Sequence, residues 1–517
     1  MTPIELSIFS SRINAICDEM GAVLQRAALS PNIRDRLDFS CAIFDASGEL
    51  SAQAAHIPVH LGSMTFAMAG IVSQLVWHEG DMVVVNDPYM GGTHLPDVTL
   101  IAPLFIDGKL IAFVVNRAHH ANIGGSTPGS MPLSSSLEEE GVVIPPSYLI
   151  RKGVMNQPLI DSIFEQIDGE HHLDGDFSAQ ISANRTGLTR LNSLIQSMGQ
   201  AHYQSAVAAL NEYAERLTRT ELAKIPEGEY LFEDYLDDDG LGNYELLLAV
   251  SVIIEKESVL VDFSGTTAQT SGNVNCPLSV AVAGVYYLFR CLLPDYTPAC
   301  AGAFKPIKVT APLGCLLNAE RPAAVAAGNV ETSTRVVDLV AGALSQAIPE
   351  RIPAASHGSM NNLAMGHRIS SATKPDEKSW DYYETIGGGM GAGSTGGGLS
   401  ALQTHMTNTL NTPIEVLEMN YPVRINRYAI RDHSGGRGCH NGGDGLIREF
   451  EFLAPAEVTL LTERRINPPW GLAGGEDGKV GENCLNGKSV GGKVYLRVKQ
   501  GDRLTIATPG GGGFGQL

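Results

Sequence analysis

The chemistry in this chain concentrates between Asn86 and Gly125, in the stretches NDPYMGGTHLPDVTL and RAHHANIGG. They hold His94, Asp97, His119 and His120, three imidazoles and one carboxylate. Mixed nitrogen and oxygen donors of this kind suit a divalent metal such as Mn, Zn or Fe. Structural zinc sites usually close with cysteines, whereas a mixed set with an open position is a catalytic arrangement. Such an ion lowers the pKa of bound water towards about 7 and polarises a carbonyl or phosphoryl oxygen.

The elements that must position these residues are two β-rich runs, Val98 to Ile106 and Leu110 to Val115, on either side of Asp107-Gly108. That dipeptide is a strong hairpin signal. A two-residue turn puts His119 opposite Pro96, and a turn one residue longer puts it opposite Asp97. In both registers His94, Asp97 and His119 meet at the open end of one hairpin, where opposed Cβ atoms lie roughly 4.5–5.5 Å apart. Strand alternation sends only one of His119 and His120 to that face. The competing reading is a set of hydrogen-bonded histidines capping a hairpin. Gly91-Gly92 and Gly124-Gly125 flank the histidines and permit close backbone approach. Asp38, at a strand start, is a candidate fourth ligand. His56 and His60 are further candidates, on a segment that Pro58 marks as an irregular loop.

Around this hairpin the pattern is α+β, a mixed multi-layer fold with a long N-terminal helix, antiparallel hairpins and a β-rich C-terminal region. Thr2-Pro3-Ile4-Glu5 opens the helix as a capping box with Pro in the first turn, and an apolar stripe runs from Leu6 to Ala27. Phe39 to Phe44 and Met82 to Val85 read as strands, and Ser126 to Pro146 as a long polar surface loop. Helical patterns fill Asp176 to Leu217. Strand-like sequence runs from Tyr230 to Phe263, and Ala281 to Leu293 reads as a buried helix. Strands and turns follow Asn420. These shifts divide the chain into a metal-site domain (1–225), a mixed α/β domain with a Gly-rich loop (226–420) and a β-rich C-terminal region (421–517).

Bulk properties narrow the function. A net charge of −20 argues against nucleic acid and anionic lipid as partners. No apolar run reaches the roughly 18 residues of a spanning helix, and Met1 to Glu5 does not start a signal peptide, so the expected compartment is the cytoplasm. The eight cysteines are scattered without a Cys-x-x-Cys pair, as in a reducing compartment. The glycine run Gly387 to Gly398 is not followed by Gly-Lys-Ser/Thr, so it does not make a phosphate loop. Glu384, His405, Asn408 and Glu415 surround it. Of these, Glu384 and His405, together with His120, are candidate substrate-binding residues.

Several stretches together resemble the hydantoinase B/5-oxoprolinase family: DFSCAIF (38–44), QAAHIPVHLGSM (53–64), NDPYMGGTHLPD (86–97), RAHHANIGG (117–125), DFSGT (262–266), ETIGGG (384–389), THMTNTLNTPIE (404–415) and PGGGGFG (509–515). The resemblance implies an ATP-dependent hydrolase of cyclic amides: a hydantoin, 5-oxoproline or another lactam. It implies a division of labour in a hetero-oligomer. A hydantoinase A-type partner binds ATP and phosphorylates the ring carbonyl. This chain, whose length fits a stand-alone hydantoinase B-type protein, carries one divalent metal near which the activated ring is hydrolysed. By the family's pattern the metal ligands fall on Asp38, His94, Asp97 and His119. The alternative within the family is a subunit of an ATP-dependent ketone carboxylase of the acetone/acetophenone type.

Overall fold

The computed structural model describes residues 1–54, 56–167, 173–368 and 379–517. It is an α+β protein in which a seven-stranded antiparallel sheet carries the candidate site. The strands are β1 (Phe39–Asp45), β2 (Leu50–Gln53), β3 (Met82–Val85), β4 (Asp97–Ile106), β5 (Lys109–His119), β6 (Ser147–Arg151) and β7 (Val154–Met155). Their spatial order is β2-β1-β5-β4-β3-β6-β7.

Both faces of this sheet are covered, so its central strands are apolar almost throughout rather than alternating. Cys41, Ile43, Val98, Leu100 and Val114 pack with Ile13, Met20 and Leu191, from the helices Pro3–Ala27 and Leu173–Met198. Ala42, Phe44, Ile101, Phe113 and Val115 pack on the opposite side with Met64, Met68 and Ile71 of the helix Pro58–Gln74 and with Val285 of the helix Leu278–Leu292. Each fully buried Leu, Ile or Phe contributes roughly 1.5–3 kcal/mol. The larger of these apolar clusters draws on residues from Ala42 to Leu461.

The N-terminal helix starts as its sequence dictates. The Thr2 side chain accepts from the Glu5 amide, Glu5 accepts from the Thr2 amide, and Pro3 occupies the first turn. The helical stretch after Leu173 is two helices, Leu173–Met198 and Gln200–Leu222, separated at Gly199.

A second sheet, β8 (Gly228–Asp238), β9 (Tyr244–Glu255), β10 (Ser258–Asp262) and β11 (Ile307–Thr310), has order β11-β10-β9-β8. The C-terminal region supplies two more. β12 (Asn362–His367) and β13 (Trp380–Glu384) join β16 (Ala456–Leu461) and β19 (Lys493–Val498). β14 (Val423–Arg431) and β15 (Gly445–Phe452) join β17 (Glu482–Leu485), β18 (Lys488–Val490) and β20 (Arg503–Ala507). The glycine run 387–398 is tied backbone to backbone with residues 435–443 and 509–513. The Gly389 amide donates to the Pro509 carbonyl, Gly443 to Met390, Gly511 to Gly443 and Ala392 to Gly512. Among the described residues no helix is long and apolar enough to cross a membrane.

Two local expectations are corrected. Residues 126–146 are not a surface loop: Pro128 to Pro132, Ser134, Leu137 and Glu140 are buried. Their polar side chains serve buried partners, as Glu140 does by accepting from Ser134 Oγ and from the Val325 and Ala326 amides. Pro58 does not mark an irregular loop either. It is the first residue of the helix Pro58–Gln74, where its missing N–H costs nothing and its fixed φ suits the turn.

Candidate metal centre

The centre is built on three adjacent strands. β1 pairs with β5 through Phe39 and Ala118, and the His119 amide donates to the Asp38 carbonyl at 3.0 Å. β5 pairs with β4 so that His119 lies directly opposite Asp97. Asp38, His119 and Asp97 therefore form a row across the end of the sheet. They continue the face that carries Ala42, Ile101 and Val115.

The hairpin reaches this register in an instructive way. Asp107 and Gly108 do form a two-residue turn, both with positive φ (51° and 73°), the backbone that the right-handed twist of a hairpin favours. Ile106 pairs with Lys109, and Phe105 with Leu110. Then Leu104 pairs with Ala112, leaving Ile111 as an extra residue on β5. This bulge moves the rest of the ladder by one and brings His119 from opposite Pro96 to opposite Asp97.

Two histidines complete the cluster from outside the sheet. His94 sits in the loop entering β4, with Nε2 3.4 Å from Asp97 Oδ2. Gly91 lets that loop pass the helix Pro58–Gln74: its φ is 89°, and a Cβ there would lie 2.2 Å from the Ala67 Cα. His60, in the first turn of that helix, places Nε2 3.3 Å from Asp97 Oδ2. His119 Nδ1 lies 3.5 Å from Asp97 Oδ1 and 3.8 Å from Asp38 Oδ2. Ligand atoms of His94, Asp97 and His119 all fall within 4.8 Å of one another.

The electrostatics match a cation site. Burial alone would raise the Asp97 carboxyl, but the His60 and His94 imidazoles and the contact with His119 hold it well below the usual carboxylate range. Burial lowers His119, only partly offset by Asp97 and Asp38. Thr93 donates its hydroxyl to Asp97. Arg117, whose pKa burial lowers to about 10 against the pull of Asp97, donates to Thr99 Oγ1 and Ser63 Oγ. The Tyr383 ring stacks on His119 at 4.3 Å, and Arg36 donates to the Tyr383 carbonyl at 2.6 Å.

This donor set fits a divalent ion. Asp97 Oδ1, both ring nitrogens of His94 and His119 Nε2 are buried without a hydrogen-bond partner. Buried polar atoms are nearly always paired, so orphans gathered round one carboxylate mark a place for a ligand.

The other sequence candidates lie elsewhere. His120, just past the end of β5, turns away from the cluster, bonded through Nε2 to Gln180 Oε1 at 2.9 Å with its ring against Phe177. Glu384 is fully buried against Arg448 at 2.8 Å and Asn411, on the face of β13 opposite Tyr383. His405, with φ of 58°, pairs with Asp338 at 3.1 Å. His56 accepts from the Cys41 amide and packs edge-on to Phe39. The sequence reading misses Thr93, Tyr383 and Asn329. Asn329 Nδ2 lies 3.5 Å from Asp97 Oδ2. Thr93 sits beside His94 within the singled-out stretch, four residues from Asp97, whereas nothing local flags Tyr383 and Asn329, which reach the site through tertiary packing.

The match to known proteins is chain-wide: the family model for hydantoinase B/oxoprolinase covers residues 2–517. The chain belongs to the hydantoinase B/oxoprolinase family. Relatives of this family member include 5-oxoprolinase 1 of Arabidopsis thaliana, 40% identical over 99% of this chain and 42% of the relative. This chain thus spans about two fifths of the length of that relative and of the 5-oxoprolinase of Dictyostelium discoideum, of which it covers 40%. A putative D-/L-hydantoinase B-type protein of Pseudomonas sp. (strain NS671) is 32% identical over 99% of this chain and 90% of the relative. Among solved structures, the ATP-dependent caprolactamase of Pseudomonas jessenii matches this family member with a TM-score of 0.91 and 28% identity, over 100% of this chain and 91% of that one. An acetone carboxylase shares the fold, at a TM-score of 0.87 and 18% identity over 99% of this chain and 76% of that one.

Proposed function

We propose that this chain is the metal-carrying, hydantoinase B-type component of an ATP-dependent amidohydrolase. It opens a cyclic amide, a hydantoin, 5-oxoproline or another lactam, after a hydantoinase A-type partner has used ATP to phosphorylate the ring carbonyl. Asp38, His94, Asp97 and His119 hold one divalent ion, Mn, Zn or Fe, with His60 beside them. The observation that carries this reading is the row Asp38–His119–Asp97 closed by His94, with its orphaned donor atoms. The names of the relatives, oxoprolinase, hydantoinase and caprolactamase, supply the substrate class.

An unstrained amide resists water at neutral pH; phosphorylation of its oxygen makes the ring carbon electrophilic and leaves phosphate to depart from the opened product. An ion at this site supplies a Lewis-acid charge that acidifies water and stabilises developing negative charge. The chain's own residues do the rest. Asp97 stays ionised throughout the neutral range, so both its oxygens act only as acceptors, and Thr93 fixes one of them. Tyr383 holds the plane of the His119 ring. Arg117, two residues before His119 on the same face of β5, is pinned by Thr99 and Ser63, which keeps a balancing positive charge beside the row. Burial shields the donor cluster itself from bulk water.

The test is reconstitution with a hydantoinase A-type partner and ATP. The expected result is ring opening coupled to ATP turnover with at least one of 5-oxoproline, hydantoin or caprolactam. ATP turnover stimulated by acetone and bicarbonate, and by no cyclic amide, would instead establish the carboxylase reading.

A further inference from the structure

Beside the cluster lies a cavity of about 20 Å³, lined in part by Asp38, His119, Asn329, Thr385, Thr407 and Thr409. A cavity needs roughly 10–15 Å³ to hold a water, and the water needs two to four polar partners. This one is therefore sized for a single water and is far too small for a ring.

Its polar walls have defined sense. Arg36 can only donate, and its Nη2 lies 3.1 Å from Thr385 Oγ1, which also accepts from Gln403 Nε2 at 3.3 Å. The Thr385 proton therefore goes to Thr409 Oγ1, 2.8 Å away. Thr409 and Thr407 share the next contact at 3.4 Å, and whichever donates there, one hydroxyl proton is left for the cavity.

The lining also includes an acceptor. The Asn329 amide presents Nδ2, which can only donate, to Asp97 Oδ2 at 3.5 Å. That orientation leaves Asn329 Oδ1, which is buried and has no hydrogen-bond partner. The backbone that presents Asn329 is fixed. Asn329 is the second residue of the π-helical turn Gly328–Thr332, a distortion frequent at functional sites. Gly328 packs so closely on residue 275 that a Cβ would lie 1.9 Å from the Asn275 carbonyl oxygen, and Ser333 Oγ donates to the Asn329 carbonyl.

We propose that this cavity seats one water, that Asn329 Oδ1 orients it by accepting one of its protons, and that this is the water consumed in ring opening. The catalytic half rests on the hydrolase reading above. In the step, the water oxygen bonds to the phosphorylated ring carbon. The ring C–N bond breaks, both water hydrogens end on the departing nitrogen, and the acyl phosphate so formed is split by a second water to carboxylate and phosphate.

The first experiment is a high-resolution crystal structure of the wild type and of Asn329→Leu, with Asn329→Ala in its place if that variant does not fold. Expected is one ordered water about 2.6–3.2 Å from Asn329 Oδ1, absent from the variant. A dry cavity in the wild type overturns the seat. The second is turnover of 5-oxoproline, hydantoin and caprolactam with an A-type partner and ATP. With whichever ring the wild type opens, kcat in the variant should fall about 10²-fold, while KM and metal content stay unchanged. Hydroxylamine, a stronger nucleophile less dependent on orientation, should displace phosphate at the ring carbon and give a larger share of ring-intact amidoxime in the variant than in the wild type, the hydroxamate formed from the acyl phosphate after ring opening being counted separately. An unchanged partition, or loss of metal in step with kcat, would make Asn329 structural support for Asp97 and overturn its role in orienting the water. A wild type that holds the water yet opens none of these rings overturns the hydrolase reading and leaves the seat standing.

Discussion

Asp97 and His119 face each other across β4 and β5 because Ile111 bulges out of the ladder between them and the turn. The extra residue is looped out, so removing it leaves the pairs on both sides in place. Deleting Ile111 should therefore preserve metal binding, at the cost of the apolar burial of one Ile side chain. Metal analysis of the deletion variant checks this. Metal loss in a variant with an unchanged circular dichroism spectrum would mean that the bulge itself shapes the site.

His60 approaches Asp97 as closely as His94 does, 3.3 Å against 3.4 Å. His60→Ala is expected to weaken metal affinity by roughly 10–100-fold, measured by competition with a chelator. His120→Ala should leave the affinity unchanged and lower stability by roughly 1–3 kcal/mol through the orphaned Gln180. The opposite pattern would mean that His120, and not His60, belongs to the cluster.

Glu384 and Arg448 form an ion pair in which both side chains are fully buried. Removing one partner leaves an uncompensated charge, so Glu384→Ala should cost about 3–5 kcal/mol in chemical denaturation. A double replacement, Glu384→Leu with Arg448→Met, should recover much of that loss. A Glu384→Ala protein as stable as the wild type but impaired in substrate binding would make Glu384 a substrate-binding residue, as its sequence context suggests, and not a structural ion-pair partner.

Glu331 provides a pH signature. Burial, reinforced by Glu463 and opposed by Ser359 and Lys493, pushes its carboxyl from 4.5 up to about 8. The folded protein then binds a proton that the unfolded chain has lost. Stability contributed by this group is fully present below about pH 4.5 and declines as pH rises towards 8, with a slope approaching ~1.4 kcal/mol per pH unit. Glu331→Gln should flatten that decline, raising Tm more at pH 8 than at pH 5. Equal Tm shifts at both pH values would place the Glu331 titration outside this window.

The hairpin, the long first helix and the convergence of His94, Asp97 and His119 were legible because they depend on local rules: turn chemistry, capping and strand alternation. The family motifs pointed to Asp38, and the pairing of β1 with β5 explains why it stands beside His119. The bulge at Ile111 was not legible, since nothing in the residue type distinguishes it from its apolar neighbours. The polar segment 126–146 misled because serine and glutamate in a loop read as solvent-facing, whereas here they satisfy buried amides. Pro58 misled for the opposite reason: a proline reads as a breaker until the helix it begins is known. Asn329 and Tyr383 come from segments more than 200 residues beyond the hairpin, and only tertiary packing brings them to it.

The most direct test of the account is metal content by elemental analysis of the purified protein, beside an Asp97→Ala/His119→Ala variant. About one equivalent of Mn, Zn or Fe in the wild type, absent from a folded variant, is the predicted result. A wild type without metal, or a variant that retains it, would contradict the account at its centre and leave these histidines and carboxylates as a hydrogen-bonded cap on the hairpin.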